Sequence, residues 1–228
     1  YPNIKFILSE KNLGYGKANN NIIKFCKSKY LLILNPDTIL KKNCESELLK
    51  SINSKKYNFS IIAPIAKEKN FGFFEKNKNI NSKGLFEVDY VKGFAMLIDK
   101  KKIKKVGLFD ENFFLYLEEI DLCKRLLSSN EKIYGNNYAK IIHLGAKSSN
   151  LGFEYEKCKS WHWMWSKFYY NKKHEGYILS LIKTLPTFVF SFLKYFFYNI
   201  FGNYKKKEIY KMRLLGLFNS YLLRKSFY

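Results

Sequence analysis

Apolar positions come in short blocks over the first two thirds of this chain and in long ones afterwards. Ile4 to Leu8, Tyr30 to Leu34, Ser60 to Ile65, Lys132 to Gly135 and Ala139 to Leu144 have the length and composition of strands. Phe86 to Val91 and Phe94 to Ile98 flank Gly93 and read as two strand pieces or one bent strand. Lys41 to Ile52 and Lys100 to Val106 read as helices. A third helix starts near Glu118, where Glu118, Leu122 and Leu126 recur at helical spacing. Asn12 to Asn21, NLGYGKANNN, reads as a glycine-bearing loop entering a helix. With the strands on either side it makes a βαβ unit and points to an α/β fold. Lys67 to Gly84 is polar and glycine-bearing, the pattern of a long loop.

From Leu151 the pattern changes. Trp161, Trp163 and Trp165 cluster, and Tyr177 to Phe201 is largely apolar, interrupted by Lys183, Pro186 and Lys194. Those lysines leave the run short of the roughly 18 uncharged apolar residues of a spanning helix, and the proline is expected to break or kink it. With Lys205 to Lys207 following, the pattern fits a helix lying in a membrane interface, its lysines reaching the headgroups. Packing on the rest of the chain or on a second copy explains it almost as well. The expected division is therefore 1–150 and a helical tail, 151–228.

The chain has 228 residues and a formal net charge of +22, from 41 basic and 19 acidic residues. Such a balance favours an anionic partner: nucleic acid, an acidic membrane or a phosphorylated substrate. No nucleic-acid module can be read from the spacings, and the lysines are scattered rather than gathered. Cys26, Cys44, Cys123 and Cys158 lie far apart without a CxxC, which argues against a zinc site or a disulfide framework and for a reducing compartment. The chain opens at Tyr1 almost directly on a strand-like run, as a fragment would.

Against this basic background one segment is acidic. Gly107 to Arg125, GLFDENFFLYLEEIDLCKR, gathers Asp110, Glu111, Glu118, Glu119 and Asp121, with no lysine or arginine between Val106 and Cys123. Carboxylates gathered this way bind hard cations or act as bases. Glu118 and Asp121 share one side of the first turn, and Asp121 can pair with Arg125 four residues on. Acids in a first turn also suit the helix macrodipole without any function. A second candidate is Asp37, which follows the apolar run YLLIL at Asn35 and Pro36. Ligand crevices of open α/β sheets lie at strand carboxyl ends, although NPD is also ordinary turn chemistry, and Asp37 or Thr38 could cap the next helix. His143 ends a strand-like run in the same way and is as readily structural as functional.

The order NLGYGKANN, LLILNPDT, VKGFAMLI, GLFDENFFLYLEEIDLCKR, HLGAKS resembles family 2 glycosyltransferases, in particular the bacterial rhamnosyltransferase-like branch, over roughly Ile4 to Ser148. The resemblance implies an A-type glycosyltransferase fold, Rossmann-like and α/β; the helical tail after it, able to associate with a membrane, is read from its own aromatic and basic pattern. It implies an inverting transfer from a nucleotide-sugar donor to a polysaccharide or lipid-linked acceptor. Asp37 falls on the last acid of the family's metal motif, with Asn35 in the place of its first acid. His143 falls on a histidine completing the Mg2+ or Mn2+ site. Glu119 falls on the catalytic base, Asp121 on the acid just beyond it, and Glu118 stands beside them as a further catalytic candidate. Asn12, Gly14, Asn19, Asn35 and Gly93 fall to the donor site.

The acidic neighbours of Glu119 are expected to raise its pKa. The family usually carries aspartate at Glu119, and its first strand, helix and second strand would precede Tyr1. The expected setting is the cytoplasmic face of the plasma membrane, in cell-envelope polysaccharide synthesis, without nucleic acid, and with a homo-oligomer as an open alternative. The rival readings are a basic module binding a membrane surface or nucleic acid, and a relative of the family without activity.

Overall fold

The computed structural model describes residues 4–54, 56–66, 83–144 and 152–226. The expected loop at 67–82 and the end of the HLGAKS run, 145–148, lie outside them. The chain divides into two compact units that interleave in sequence rather than following one cut near residue 150. One unit holds residues 19–110 and 117–158, the other 1–18, 111–116 and 159–228.

The first unit is built on a mixed sheet. Its strands are β1 (Tyr30–Leu34), β2 (Thr38–Leu40), β3 (Phe59–Ala66), β4 (Leu85–Glu87), β5 (Ala95–Asp99) and β6 (Lys132–His143). The order is β1-β5-β3-β6-β2, with β4 also on β6; β3 and β6 are parallel and the other pairs antiparallel. Central β3 and β5 are buried almost throughout, as strands covered on both faces must be, and this is why they read as unbroken apolar runs. Helix α1 (Tyr15–Phe25) follows the glycine-bearing loop as expected, and α2 (Cys44–Asn53) contributes Cys44 and Leu48 to a core with Phe59, Ile62, Leu97, Tyr134 and Ile141.

Several expected elements differ. Residues 4–8 form no strand, and Ile4, Phe6, Ile7 and Leu8 are exposed, because no neighbouring strand pairs with them among the described residues. The βαβ unit is therefore not formed. Tyr30 to Leu34 is a strand but not a buried one: as the edge of the sheet it leaves Leu32 and Leu34 partly open. The pieces around Gly93 are two separate strands, β4 paired with β6 and β5 with β1 and β3. Conversely, the two pieces expected from Lys132 to Leu144 are one strand, β6. Its irregularity opposite Pro64 and Ile65 is held by Asn136, whose side-chain Oδ1 accepts from the backbone N–H of Tyr138 at 2.9 Å and of Ala139 at 3.3 Å.

The second unit takes the greater part of α5 (Gly152–Glu175), together with α6 (Tyr177–Ile200) and α7 (Tyr204–Tyr221). Met164, Phe168 and Leu217 form its core, with Leu181, Phe188 and Tyr221 against them. Gly216 lets α7 approach α5: a Cβ there would lie 2.3 Å from the Trp161 carbonyl oxygen. Pro186 does not break α6, which runs through it; the one ladder bond lost is tolerated in a helix packed against α7.

Candidate active site

Asp37 is neither a turn residue alone nor a helix cap. Pro36 and Asp37 form the turn that enters β2, closed by the Thr38 N–H donating to the Asn35 carbonyl at 3.1 Å, and α2 has Asn43 at its N-cap. Antiparallel pairing sets Thr38 opposite His143, and the Leu144 N–H donates to the Asp37 carbonyl at 2.9 Å. That register brings Asp37 Oδ1 to 3.4 Å from His143 Nε2, with both side chains largely buried. The imidazole is held by Phe94, whose ring stacks on it at 4.4 Å and 18°. The Phe94 carbonyl accepts from the Asn35 N–H at 2.8 Å and the Thr38 hydroxyl at 3.3 Å, so one residue organises the turn and the ring together.

The acidic segment forms α4 (Glu118–Ser128). Tyr116 and Leu117, immediately before it, both have left-handed backbone, φ 73° and 69°, which is costly for side chains of this size. The bend aims the first turn of α4. Asp121, fully buried, pairs with Arg125 Nε at 2.8 Å, and the guanidinium donates to the carbonyls of Val106 and Leu108, each at 2.6 Å. The pair thus clamps the turn after α3 (Lys100–Lys105), around Gly107 at φ 92°. Its geometry is that of a positioning pair, in which the aspartate orients the arginine.

Glu118 is also buried, and its Oε2 has no hydrogen-bond partner. Burial holds its carboxyl well above the usual glutamate range, and the adjacent Glu119 adds to this. Glu119 is only partly buried. Its pKa is raised as well, but the first cause is burial rather than acidic neighbours, and it is opposed by backbone N–H groups, including that of Gly93, and by Lys92. A partly accessible carboxylate with raised proton affinity is suited to accept a proton. Cys123, on the same helix, is unsuited to act as a nucleophile, since burial pushes its thiol up to about 12.

Lys92, Gly93 and Phe94 join the two groups: Gly93 faces Glu119, and Phe94 carries His143 and Thr38. Gly93 thus meets a carboxylate of the protein itself. Sequence reasoning gave Lys92 and Phe94 no role beyond their place in the run VKGFAMLI, and read Thr38 only as a possible helix cap. Asn19 and Asn35 lie in the same unit, both partly buried; Asn12 and Gly14 belong to the other unit. Asn12 Oδ1 accepts from the Gly14 N–H at 2.9 Å, and a Cβ on Gly14 would lie 2.3 Å from the Phe114 carbonyl oxygen. Gly14 at φ 73° therefore meets a packing need. Asn20, beside Asn19, exchanges two bonds with the Phe109 backbone, at 2.9 and 3.0 Å.

No group of three His, Cys, Asp or Glu side chains able to hold a metal occurs among the described residues. Two donors still fit a magnesium-like ion, which retains waters and takes substrate phosphates as further ligands. Two ligands at right angles, each about 2.1 Å from such an ion, lie about 3 Å apart, close to the 3.4 Å between Asp37 and His143.

A mixed sheet with helices packed on it is the frame of an A-type glycosyltransferase fold. Solved structures share it: the mannosyltransferase PcManGT from Pyrobaculum calidifontis in complex with GDP-Man and Mn2+ (TM-score 0.52, 9% identity, 93% of this chain and 68% of that one), and GalNAc-T7 with UDP, GalNAc and Mn2+ (TM-score 0.50, 11%, 76% and 43%). Residues 1–122 match Glycosyl transferase family 2, and the chain belongs to that family. It is similar to the rhamnosyltransferase WbbL of Escherichia coli (strain K12), 28% identical over 179 residues, 65% of this chain and 67% of that protein. It is also similar to the low-salt glycan biosynthesis hexosyltransferase Agl10 of Haloferax volcanii, 29% identical over 163 residues, 63% of this chain. The chain spans about half the length of the latter (52%).

Proposed function

We propose that this chain carries the catalytic part of an inverting glycosyltransferase that moves a hexosyl or rhamnosyl group from a nucleotide-sugar donor to a polysaccharide or lipid-linked acceptor. The observation that carries the reading is the convergence of Asp37 with His143, beside a separate carboxylate with raised proton affinity. The family and the names of both relatives support sugar transfer, and the Mn2+ and nucleotide sugars of the structural neighbours support a metal-assisted donor site.

Asp37 and His143 would hold Mg2+ or Mn2+, which when bound offsets the charge of the departing diphosphate. Glu119 accepts the proton of the acceptor hydroxyl as that oxygen forms the new glycosidic bond. The bond to the diphosphate breaks on the opposite face, inverting the anomeric centre. Gly93 and Lys92 oppose the burial that raises the proton affinity of Glu119. Asp121 and Glu118 act through the placement and charge of α4. Asn19 and Asn35 remain donor-side candidates in the same unit, and Asn12 and Gly14 belong to this reading through the family motif. The setting is envelope glycan synthesis at the inner face of the plasma membrane, with peripheral membrane contact.

The test is metal-dependent hydrolysis or transfer across a panel of nucleotide sugars. Activity that needs Mg2+ or Mn2+ and is lost in Asp37→Ala supports the proposal. Metal-independent activity, unchanged in that variant, overturns the metal assignment.

A further inference from the structure

The helix α6 is inside out. Its buried residues are Ser180, Thr184 and Ser191, all small and polar, while Ile178, Ile182, Leu193, Phe196 and Ile200 are each more than half exposed. At about 100° per residue the exposed apolar side chains occupy one continuous arc of roughly 160°. Ser180, Thr184 and Ser191 fall on the opposite side. Two of the three are satisfied within the unit: Ser180 Oγ donates to the Phe168 carbonyl at 2.9 Å, Thr184 Oγ1 to the Ser180 carbonyl at 2.7 Å, and Tyr221 Oη to Thr184 Oγ1 at 3.1 Å, while Ser191 Oγ is buried without a hydrogen-bond partner. A helix that turns polar groups inward and phenylalanine outward is arranged for an apolar surrounding rather than for water.

Two observations choose the occupant and its geometry. First, charge: from Tyr177 onward the chain carries one acid, Glu208, against nine lysines and arginines. Lys183 and Lys194 border the apolar arc, and Lys194 Nζ lies 5.6 Å from the ring centroids of Phe190 and Phe197. That is the disposition of lysines reaching from an acyl boundary to anionic headgroups. Second, α6 is, among the described residues, the one helix long and apolar enough to cross a membrane, yet it is paired along its length with α7. Tyr210 meets Phe190 at 6.3 Å and Tyr198 at 5.6 Å, and Tyr221 meets Phe188 at 5.8 Å. A spanning α6 would draw Lys211 and Arg213 of α7 towards the hydrocarbon with it, against the single acid Glu208.

We infer that the α6–α7 hairpin docks on an anionic phospholipid bilayer, with α6 lying in the plane of the interface and its apolar arc sunk among the acyl chains. This rests on, and sharpens, the peripheral membrane contact proposed above.

The test uses the whole chain without donor or acceptor, so it reads membrane binding apart from sugar transfer. Sedimentation with phosphatidylcholine vesicles, with and without phosphatidylglycerol, is expected to show salt-weakened binding that needs the anionic lipid. Phe196→Glu and Ile182→Glu, at exposed positions, should each reduce partition by about tenfold with unchanged circular dichroism. Tryptophan placed at Leu185, Leu193 or Ile200 should be quenched equally, and only by shallow brominated lipids. Depth graded along the helix would mean spanning and overturn the inference. So would binding to neither vesicle, salt-insensitive binding to both, or Phe196→Glu dispersing a dimer without affecting vesicle binding. Loss of vesicle binding with intact donor hydrolysis would leave the transferase reading standing.

Discussion

Two carboxylate centres in one unit are built for opposite chemistry. At the strand end, Asp37 faces an imidazole at 3.4 Å on a partner strand. At the helix start, Glu118 and Glu119 sit next to each other, and burial makes both hold protons more tightly than free glutamate. Only Glu119 keeps access to solvent, and only Glu119 has Lys92 and the Gly93 N–H against it. The difference teaches that surroundings decide what an acid can do. In the function proposed above, the strand-end carboxylate opposite an imidazole is the one assigned to a metal, and the partly open one at the helix start the one assigned to a proton.

The sharpest way to break this comparison is Glu119→Gln, which keeps the size and loses the base. Turnover is expected to fall about 10²–10⁴-fold, while donor affinity measured by calorimetry stays near that of the parent. Full turnover would return the role to another group. Glu119→Asp, which restores the family's usual residue, should lower turnover if the pocket is fitted to the longer side chain.

Asp37→Ala should weaken Mn2+ binding more than about tenfold with the fold intact, since its carboxylate is not part of the main core. Isothermal calorimetry with a circular dichroism control checks both halves.

Within α4 the buried acids should part company. Asp121→Ala leaves Arg125 without its counter-charge and should cost about 3 kcal/mol in urea unfolding. Glu118→Gln should do the reverse. Its pKa is raised on folding, so below the ordinary glutamate value folded and unfolded states both hold the proton; as pH rises from there to the raised value, the folded state alone holds it and stability falls. The variant lacks that loss, and at neutral pH its Tm should be higher by roughly 2–4 °C, with no gain near pH 4.

The smallest effect concerns Lys92, whose charge lowers the Glu119 pKa. The acid limb of the kcat/KM profile should lie above the ordinary glutamate range, and Lys92→Ala should move it to higher pH. A limb that stays in place would mean that the titrating group is not Glu119.

What the amino-acid order determined by itself was local. Helix α4, its pair Asp121 and Arg125, the buried runs of β3 and β5, and the family motifs depend on spacings of a few residues or on the order of short segments, and these are written directly in the chain. Tertiary structure alone decided the rest. The contact of Asp37 with His143 exists because β2 registers against β6, and nothing near either residue specifies that pairing. The same holds for which first-turn acid stays accessible, since helical spacing offers Glu118 and Glu119 alike until packing buries one. The failure of residues 4–8 to form a strand has this cause too, because a strand is a property of its neighbours. In α6 the apolar run was legible, but a run has no inside: only packing against α5 and α7 turned its serines and threonine inward and Phe192, Phe196 and Phe197 out.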